Sequence, residues 1–496
     1  MTYDGSSRAT GITLYLDGEP LQTEIVRDRL IKDITYRRDA GDQADRQPLT
    51  LAARFRDSGF KNGLIDDLQV FDVELTAVEV AAFRSDAPAR FRGAKEGRFE
   101  YFLAREHRPS IDAVQALRQL RRQADALVAD VPEIMVMEEM DPPRQTHVLK
   151  RGSYDAPGDL VARDTPASLP PFPASQPRNR LGLARWLTSP QHPLAARVVV
   201  NRVWRMHFGR GIVATPEDFG SQGKLPTHPE LLDWLTVRFV KEGWDLKALH
   251  RRIVLSAAFR QSSVVTADAA ARDPENHLLS RWPKMRLPAE QIRDGALAAS
   301  GLLNRTIGGP SVKPYQPAGL WEQSGTGKTY KQDTGLKLYR RSLYTFWRRT
   351  APPPSMTAFD AVTREVCVAR REATVTPLQS LVLLNDPQFV EASRTLAERL
   401  IERHPLSARE RHREAFRALT GRLPDEVEAG ILARMFDEQH DWFARHATDA
   451  LKYVSVGDSA PAQSLAPADP AALAALAATT AVVNAIVNFD EYVVLR

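Results

Sequence analysis

Apolar positions recur along the chain at two periods. Up to about residue 85 they fall in short blocks bounded by turn residues. Ile12-Thr-Leu-Tyr-Leu16, followed by Asp17-Gly18, predicts a strand ending in a hairpin turn. Leu49-Thr-Leu51 and Gly63–Phe71 predict further strands, while Leu75–Phe83 takes a helical period with Thr76 as cap and Glu79 at the capping-box position. Between Arg105 and Val131 the spacing of Ile111, Val114, Leu117, Leu120, Ala124 and Leu127 predicts an amphipathic packing helix whose other face is rich in Arg and Asp. Ile134–Met140 reads as a strand, and Asp155–Asn179, rich in Pro, Ala, Asp and Ser, as a linker over the surface.

The stretch Arg178–Ser263 organises the chain. A helix over Ala195–Phe208 places Val199, Val203 and Met206 on one face and ends at Gly209. The next opens at Thr227-His-Pro-Glu230, a capping box, and carries the apolar stripe Leu231, Leu232, Leu235, Phe239 and Val240. A third starts at the N-cap Asp245 with Leu249, Ile253 and Leu255 inward. Downstream, helices are predicted over Pro288–Leu303, Pro377–Leu384, Pro387–Arg403, Ala408–Leu419, Pro424–Gln439 and Pro470–Asn488, with Ile307–Ala351 rich in loops and Pro352–Pro354 a short extended turn. Thr376-Pro377 and Asp386-Pro387 each fix a helix start. The Ala-rich run Ala471–Phe489, interrupted by Thr479, Thr480, Asn484 and Asn488, reads as a packed helix and not a membrane span.

Composition narrows the picture. A chain of 496 residues suggests about two to four domains. A net charge of +5, with Lys and Arg interspersed among Asp and Glu, demands no nucleic-acid partner. The single cysteine, Cys367, excludes an internal disulfide and a Cys-x-x-Cys haem attachment site, and its Val-Cys-Val setting predicts a small buried side chain. The first residues contain no apolar run of signal-peptide type.

Candidate chemistry is sparse. Ser324-Gly-Thr-Gly-Lys-Thr329 falls short of a phosphate-binding loop, because Glu322 stands where that pattern needs Gly; a surface loop is expected. The histidines show no metal-ligand spacing, and turn or capping roles account for His192 and His228. No catalytic residue and no metal ligand is assigned. The best polar cluster is Arg197, Asn201, Arg202, Trp204, His207, Arg210, Asp218 and His228. Facing a cleft, it would bind an anionic or polyhydroxylated ligand, with Arg as a fork and Trp as a stacking plate; turned inward, it is a network tying helices to the Gly-rich loop. A second surface, Tyr315, Trp321, Arg340, Arg341, Tyr344, Trp347 and Arg348, interleaves aromatics with Arg; Trp321, Tyr344 and Trp347 would stack sugar rings, or else rim a helical core.

These segments carry two resemblances. The central stretch, with Thr146–Tyr154, Asp273-Pro-Glu-Asn276, Ile307–Tyr315, Tyr339–Trp347, Ala358-Phe-Asp360, Arg370-Arg-Glu372 and Thr376–Pro387, resembles the C-terminal domain of the planctomycete-type PSD-one family, domain of unknown function fifteen fifty-three, over about residues 134–496. Gly63–Glu79 resembles the ending of a laminin-G/concanavalin-like β-sandwich. The fold expected is α+β and multidomain: a partial antiparallel β-sandwich (jelly roll) over 1–88, a helical connector over 89–133 and a mainly α-helical domain over 134–496. Such a sandwich needs more strands than the chain has before Gly63, so the expectation is a truncated frame with upstream domains missing. The resemblance implies an exported, periplasmic or extracellular setting, a glycan or cell-surface protein as partner, and calcium in the sandwich if complete, although Asp66 and Asp67 alone are a weak calcium site. The function expected is a glycan- or polysaccharide-associated binding or scaffold component. The alternative is an enzyme, a hydrolase or the redox partner of a missing c-type cytochrome domain, with a polar site around Asn201, His207, Asp218 and His228.

Overall fold

Asp17 and Gly18 adopt φ values of 52° and 82°, the left-handed pair that a two-residue hairpin turn requires. The segment before them divides into short pieces. β1 (Thr2–Tyr3) pairs antiparallel with β2 (Ile12–Thr13), and β3 (Tyr15–Leu16) pairs across the turn with β4 (Glu19–Pro20). The computed structural model describes residues 1–28, 51, 59, 62–83, 95–129, 131, 134–324, 327–462 and 469–496. It divides into two units, Met1–Arg144 and Gln145–Arg496.

In the first unit, α1 (Ala77–Ala82) carries the expected capping box: the Glu79 carboxylate accepts the Thr76 backbone N–H at 2.7 Å and its hydroxyl at 3.0 Å. α2 (Lys95–Arg105) joins it through Arg105, which donates to both Glu79 oxygens at 2.7 and 2.9 Å. α3 (Arg108–Ala129) forms as predicted but is turned differently. Val114, Leu117, Leu120 and Leu127 are exposed, whereas Arg121 is half-buried and reaches the Asp4 carbonyl at 2.8 Å. Polar anchoring, not the apolar stripe, sets its rotation. The helices expected as a connector thus belong to this unit.

The sandwich is not seen among the described residues, where the strands form only two-stranded ribbons. Gly63–Phe71 runs without a paired strand, and Leu64 and Val70 are exposed. A strand exists only through ladder bonds to a neighbour, which this segment lacks among the described residues. Asp66 and Asp67 are both exposed, joined by a local turn bond from the Asp67 N–H to Asp66 at 2.9 Å. Leu49 and Thr50 lie outside the described residues, and Leu51 is exposed in a bend. Ile134–Met140 forms no strand and is exposed throughout.

The second unit opens with β5 (Thr146–Leu149) paired to β6 (Pro157–Val161), so part of the expected linker is a strand. α4 (Arg180–Leu187) starts at Asn179, whose side chain accepts the Gly182 N–H at 3.1 Å. α5 (Ala195–Phe208) has its predicted bounds and a left-handed Gly209 cap. Its buried face is Ala196, Val200, Val203, Trp204 and Phe208, while Met206 is exposed. α6 (Pro229–Lys241) begins at His228 and not at a Thr227 box: Thr227 donates its backbone N–H to the Ile212 carbonyl at 2.9 Å, and Pro229 sets the first turn. α7 (Leu246–Val254) is capped by Asp245, which accepts the Ala248 N–H at 3.0 Å; Leu249 and Ile253 are buried, but Leu255 lies past the helix end and is exposed.

α8 (Ala267–Arg272) and β7 (Met285–Arg286) lead to α9 (Ala289–Ser300), α10 (Leu320–Gln323) and α11 (Pro354–Ala358), the last starting where an extended turn was expected. α12 (Pro377–Asn385), α13 (Pro387–Arg403), α14 (Ala408–Thr420), α15 (Glu426–Arg445), α16 (Ala447–Val454) and α17 (Pro470–Val487) form a bundle, and α18 (Asp490–Val493) and β8 (Val494–Leu495) return the chain to β7. α17 is the hub. It is long and apolar enough to cross a membrane, with a mean hydropathy of 1.8, yet Leu476, Ala477, Ala478, Val482 and Ile486 are fully buried against α13–α16. Each such Leu or Ile contributes about 1.5–3 kcal/mol by burial. Cys367 is exposed, contrary to expectation, because the whole of Thr363–Leu378 lies on the surface.

Candidate functional site

The expected central cluster is distributed among local partners. Asn201 is fully buried and clamps the Ile212–Val213 turn to α5, accepting the Val213 N–H at 2.8 Å and donating to its carbonyl at 3.0 Å. The close pass of Gly211 explains its residue type, since a Cβ there would meet the Asn201 amide at 2.6 Å. Trp204 is buried and stacks on Phe208 with ring centres 4.2 Å apart, so its faces belong to the core. Arg197 pairs with Asp233 at 2.7 Å. Arg210 meets Glu275 at 3.3 Å and His277 at 2.6 Å. Asp218 accepts the Gly220 N–H at 2.6 Å in a tight turn, and His228 contacts the Thr227 hydroxyl at 3.0 Å.

His207 Nε2 lies 2.7 Å from His250 Nδ1, and burial and then the neighbouring imidazole push its pKa down. Arg202 is exposed. Among the described residues no side-chain hydrogen bond or ion pair links any two of these eight, and no group of three or more metal-ligating side chains occurs.

The second surface is also largely interior. Trp321 is buried between Arg348, 4.6 Å from its ring centre, and Tyr330. Arg340, itself buried, covers the Tyr344 ring at 3.7 Å and donates to the Pro310 carbonyl at 2.9 Å and the Thr306 carbonyl at 3.1 Å. Tyr344 takes the Gly308 N–H at 2.7 Å. Trp347 is half-buried, donates to the Thr363 carbonyl at 3.0 Å and carries Arg364 over its ring at 4.5 Å.

A site that the residue pattern did not single out lies where α9, α11 and the first turn of α13 meet. A small indentation of about 20 Å³ is bordered by Arg293, Tyr315, Ser355, Met356, Phe359, Asp386, Gln388 and Phe389. Its position follows from helix ends: Asp386 caps α13 by accepting the Gln388 N–H at 2.9 Å, and Pro387 fixes the first turn. Arg293 sits on the inward stripe of α9 with Ile292, Ala296 and Leu297. It spends its donors on the Leu338 and Arg340 carbonyls at 2.6 and 2.9 Å, on Ser342 at 3.2 Å and on the Gln388 carbonyl oxygen at 2.8 Å.

That last bond fixes the amide of Gln388. Its oxygen must face the guanidinium, which leaves Nε2, buried and without a protein partner, as a spare donor. Burial raises the pKa of Asp386, opposed by the Gln388 N–H and by Arg293. Tyr315 extends the network inward: its hydroxyl donates to Glu391 at 3.0 Å, Tyr339 does so at 2.7 Å, and burial first and then Glu391 push both phenols up, Tyr339 to about 12. The sequence signal for this site was a charged Arg293 on the buried stripe of an amphipathic helix.

A family model described as PSD1, protein of unknown function (DUF1553), matches residues 179–436, from the cap of α4 into α15 and over more than half of the chain. No curated protein and no solved structure matches the chain.

Proposed function

The chain belongs to the PSD1 family of proteins of unknown function (DUF1553), and from that footing we propose that it is a non-covalent binding component. Its ligand is a polyhydroxylated molecule of the glycan class, held at the head of α13, and its setting is an exported, polysaccharide-associated assembly. The observation that carries this reading is the fixed, unpartnered Nε2 of Gln388 beside the Asp386 carboxyl. A hydroxyl group both donates and accepts, so it can serve the two at once. Met356, Phe359 and Phe389 border the indentation from the core that packs α9 against α11 and α13. The other polar groups of the pocket are already held by protein partners, which lowers the ordering cost of binding.

The test is calorimetric titration of the full chain with cello-, xylo- and mannohexaose. Saturable binding to at least one is expected, weakened about tenfold by Gln388→Ala, the loss of a hydrogen bond to a buried donor. Binding to none of them, or binding indifferent to Gln388→Ala, refutes the assignment.

A further inference from the structure

A second site stands apart from this pocket. Arg202 and Arg205 lie three residues apart on α5, hence on neighbouring positions of one helix face. Arg205 donates to the carbonyl of Ala369 at 2.7 Å, which seats Arg370 beside them. Burial first, then the charges of Arg370 and Arg202, lower the pKa of Arg205, so the three guanidinium groups share one field; Glu217 is the acid acting against them.

Some other surface arginines on this unit are matched, Arg197 with Asp233, Arg252 with Glu242, Arg371 with Glu290, and Arg422 with Glu428 and Glu491, while Arg251, Arg260 and Arg341 stand exposed as single charges. Among the described residues Arg202 and Arg370 have no hydrogen-bond or ion-pair partner, and both are exposed. Like charges one helical turn apart repel, and nothing in the packing requires Arg202.

We propose that Arg202, Arg205 and Arg370 form a binding site for an oxyanion, the sulfate or carboxylate group of an acidic polysaccharide. Planar guanidinium forks match both groups with paired hydrogen bonds, and a half-buried Arg205 strengthens the field at the floor of the site. An acidic polysaccharide fits better than a nucleic acid. The patch holds three positive charges opposed by one acid, and the chain as a whole balances 67 Lys and Arg against 62 Asp and Glu, whereas a phosphate backbone is tracked by an extended basic stripe.

The full chain is titrated with a sulfated hexasaccharide, its desulfated counterpart, a hexuronate and a single-stranded oligonucleotide of equal charge, at two salt concentrations. Tightest binding is expected for the sulfated or uronate ligand, weakening with salt. The double variant Arg202→Gln/Arg370→Gln, at two partner-free surface positions, should weaken it by about tenfold or more. The same series is repeated in the Gln388→Ala background, where the salt-dependent difference between sulfated and desulfated ligand should persist, which separates this site from the pocket. Equal affinity for the desulfated ligand, binding untouched by the double variant, or preference for the oligonucleotide overturns the proposal.

Discussion

His412 sets an acid limit on the second unit. It is buried on α14, packed against the Phe436 ring at 5.1 Å, with Arg411 beside it and Asp437 acting the other way. Burial first, then the Arg411 charge, push its pKa from 6.5 to about 4. The folded protein therefore prefers neutral His412, while the unfolded chain takes up a proton below pH 6.5. Stability from this group is present above the unfolded pKa and is lost as pH falls toward the folded one.

Each tenfold change in proton affinity is worth about 1.4 kcal/mol, so the full effect approaches about 3 kcal/mol, most of it gone at pH 4.5. All eight tryptophans lie beyond residue 145, so urea unfolding followed by tryptophan fluorescence reports on this unit alone. Between pH 7.5 and 4.5, His412→Gln and His412→Phe should each lose about 2–3 kcal/mol less than wild type, because shared carboxylates cancel in the difference. Identical pH slopes for wild type and both variants would refute the argument.

Polar groups in the bundle give two more expected outcomes. Asn484 on α17 is buried with both amide atoms unpartnered, so Asn484→Leu should raise the unfolding free energy by about 1–2 kcal/mol; a decrease in urea stability would show that the amide is satisfied or that the larger side chain does not fit. Arg394 and Glu398 pair at 2.7 Å inside α13 with almost no exposure, so Arg394→Met should cost about 3–5 kcal/mol by stranding the Glu398 charge, and a denaturation midpoint within error of wild type would contradict this.

The sequence carried its helices well where local chemistry dictates them. Asp386-Pro387, Asp245 and the Thr76/Glu79 box each placed a helix start, because a cap and a first-turn proline act within four residues. The α5 bounds and the Gly209 stop were legible for the same reason. Rotation about the axis was not: α3 turns its apolar stripe outward because Arg121 is tied to Asp4, and α5 buries Trp204 where Met206 was expected. Strands fared worse, since a ladder needs a partner that no local pattern names, and Gly63–Phe71 remained unpaired.

The sites divide along the same line. Sequence alone determined the family, the helical character of the large unit and which residue types could carry chemistry. Only the tertiary structure decided that Asn201 clamps a turn, that Trp204 and Trp321 face the core, and that Arg293, Asp386 and Gln388, drawn from two helices about a hundred positions apart, share one pocket. Capping and periodicity are short-range forces written into consecutive residues; the meeting of Arg293 with Gln388, or of Arg205 with the carbonyl of Ala369, comes from packing the whole bundle around α17.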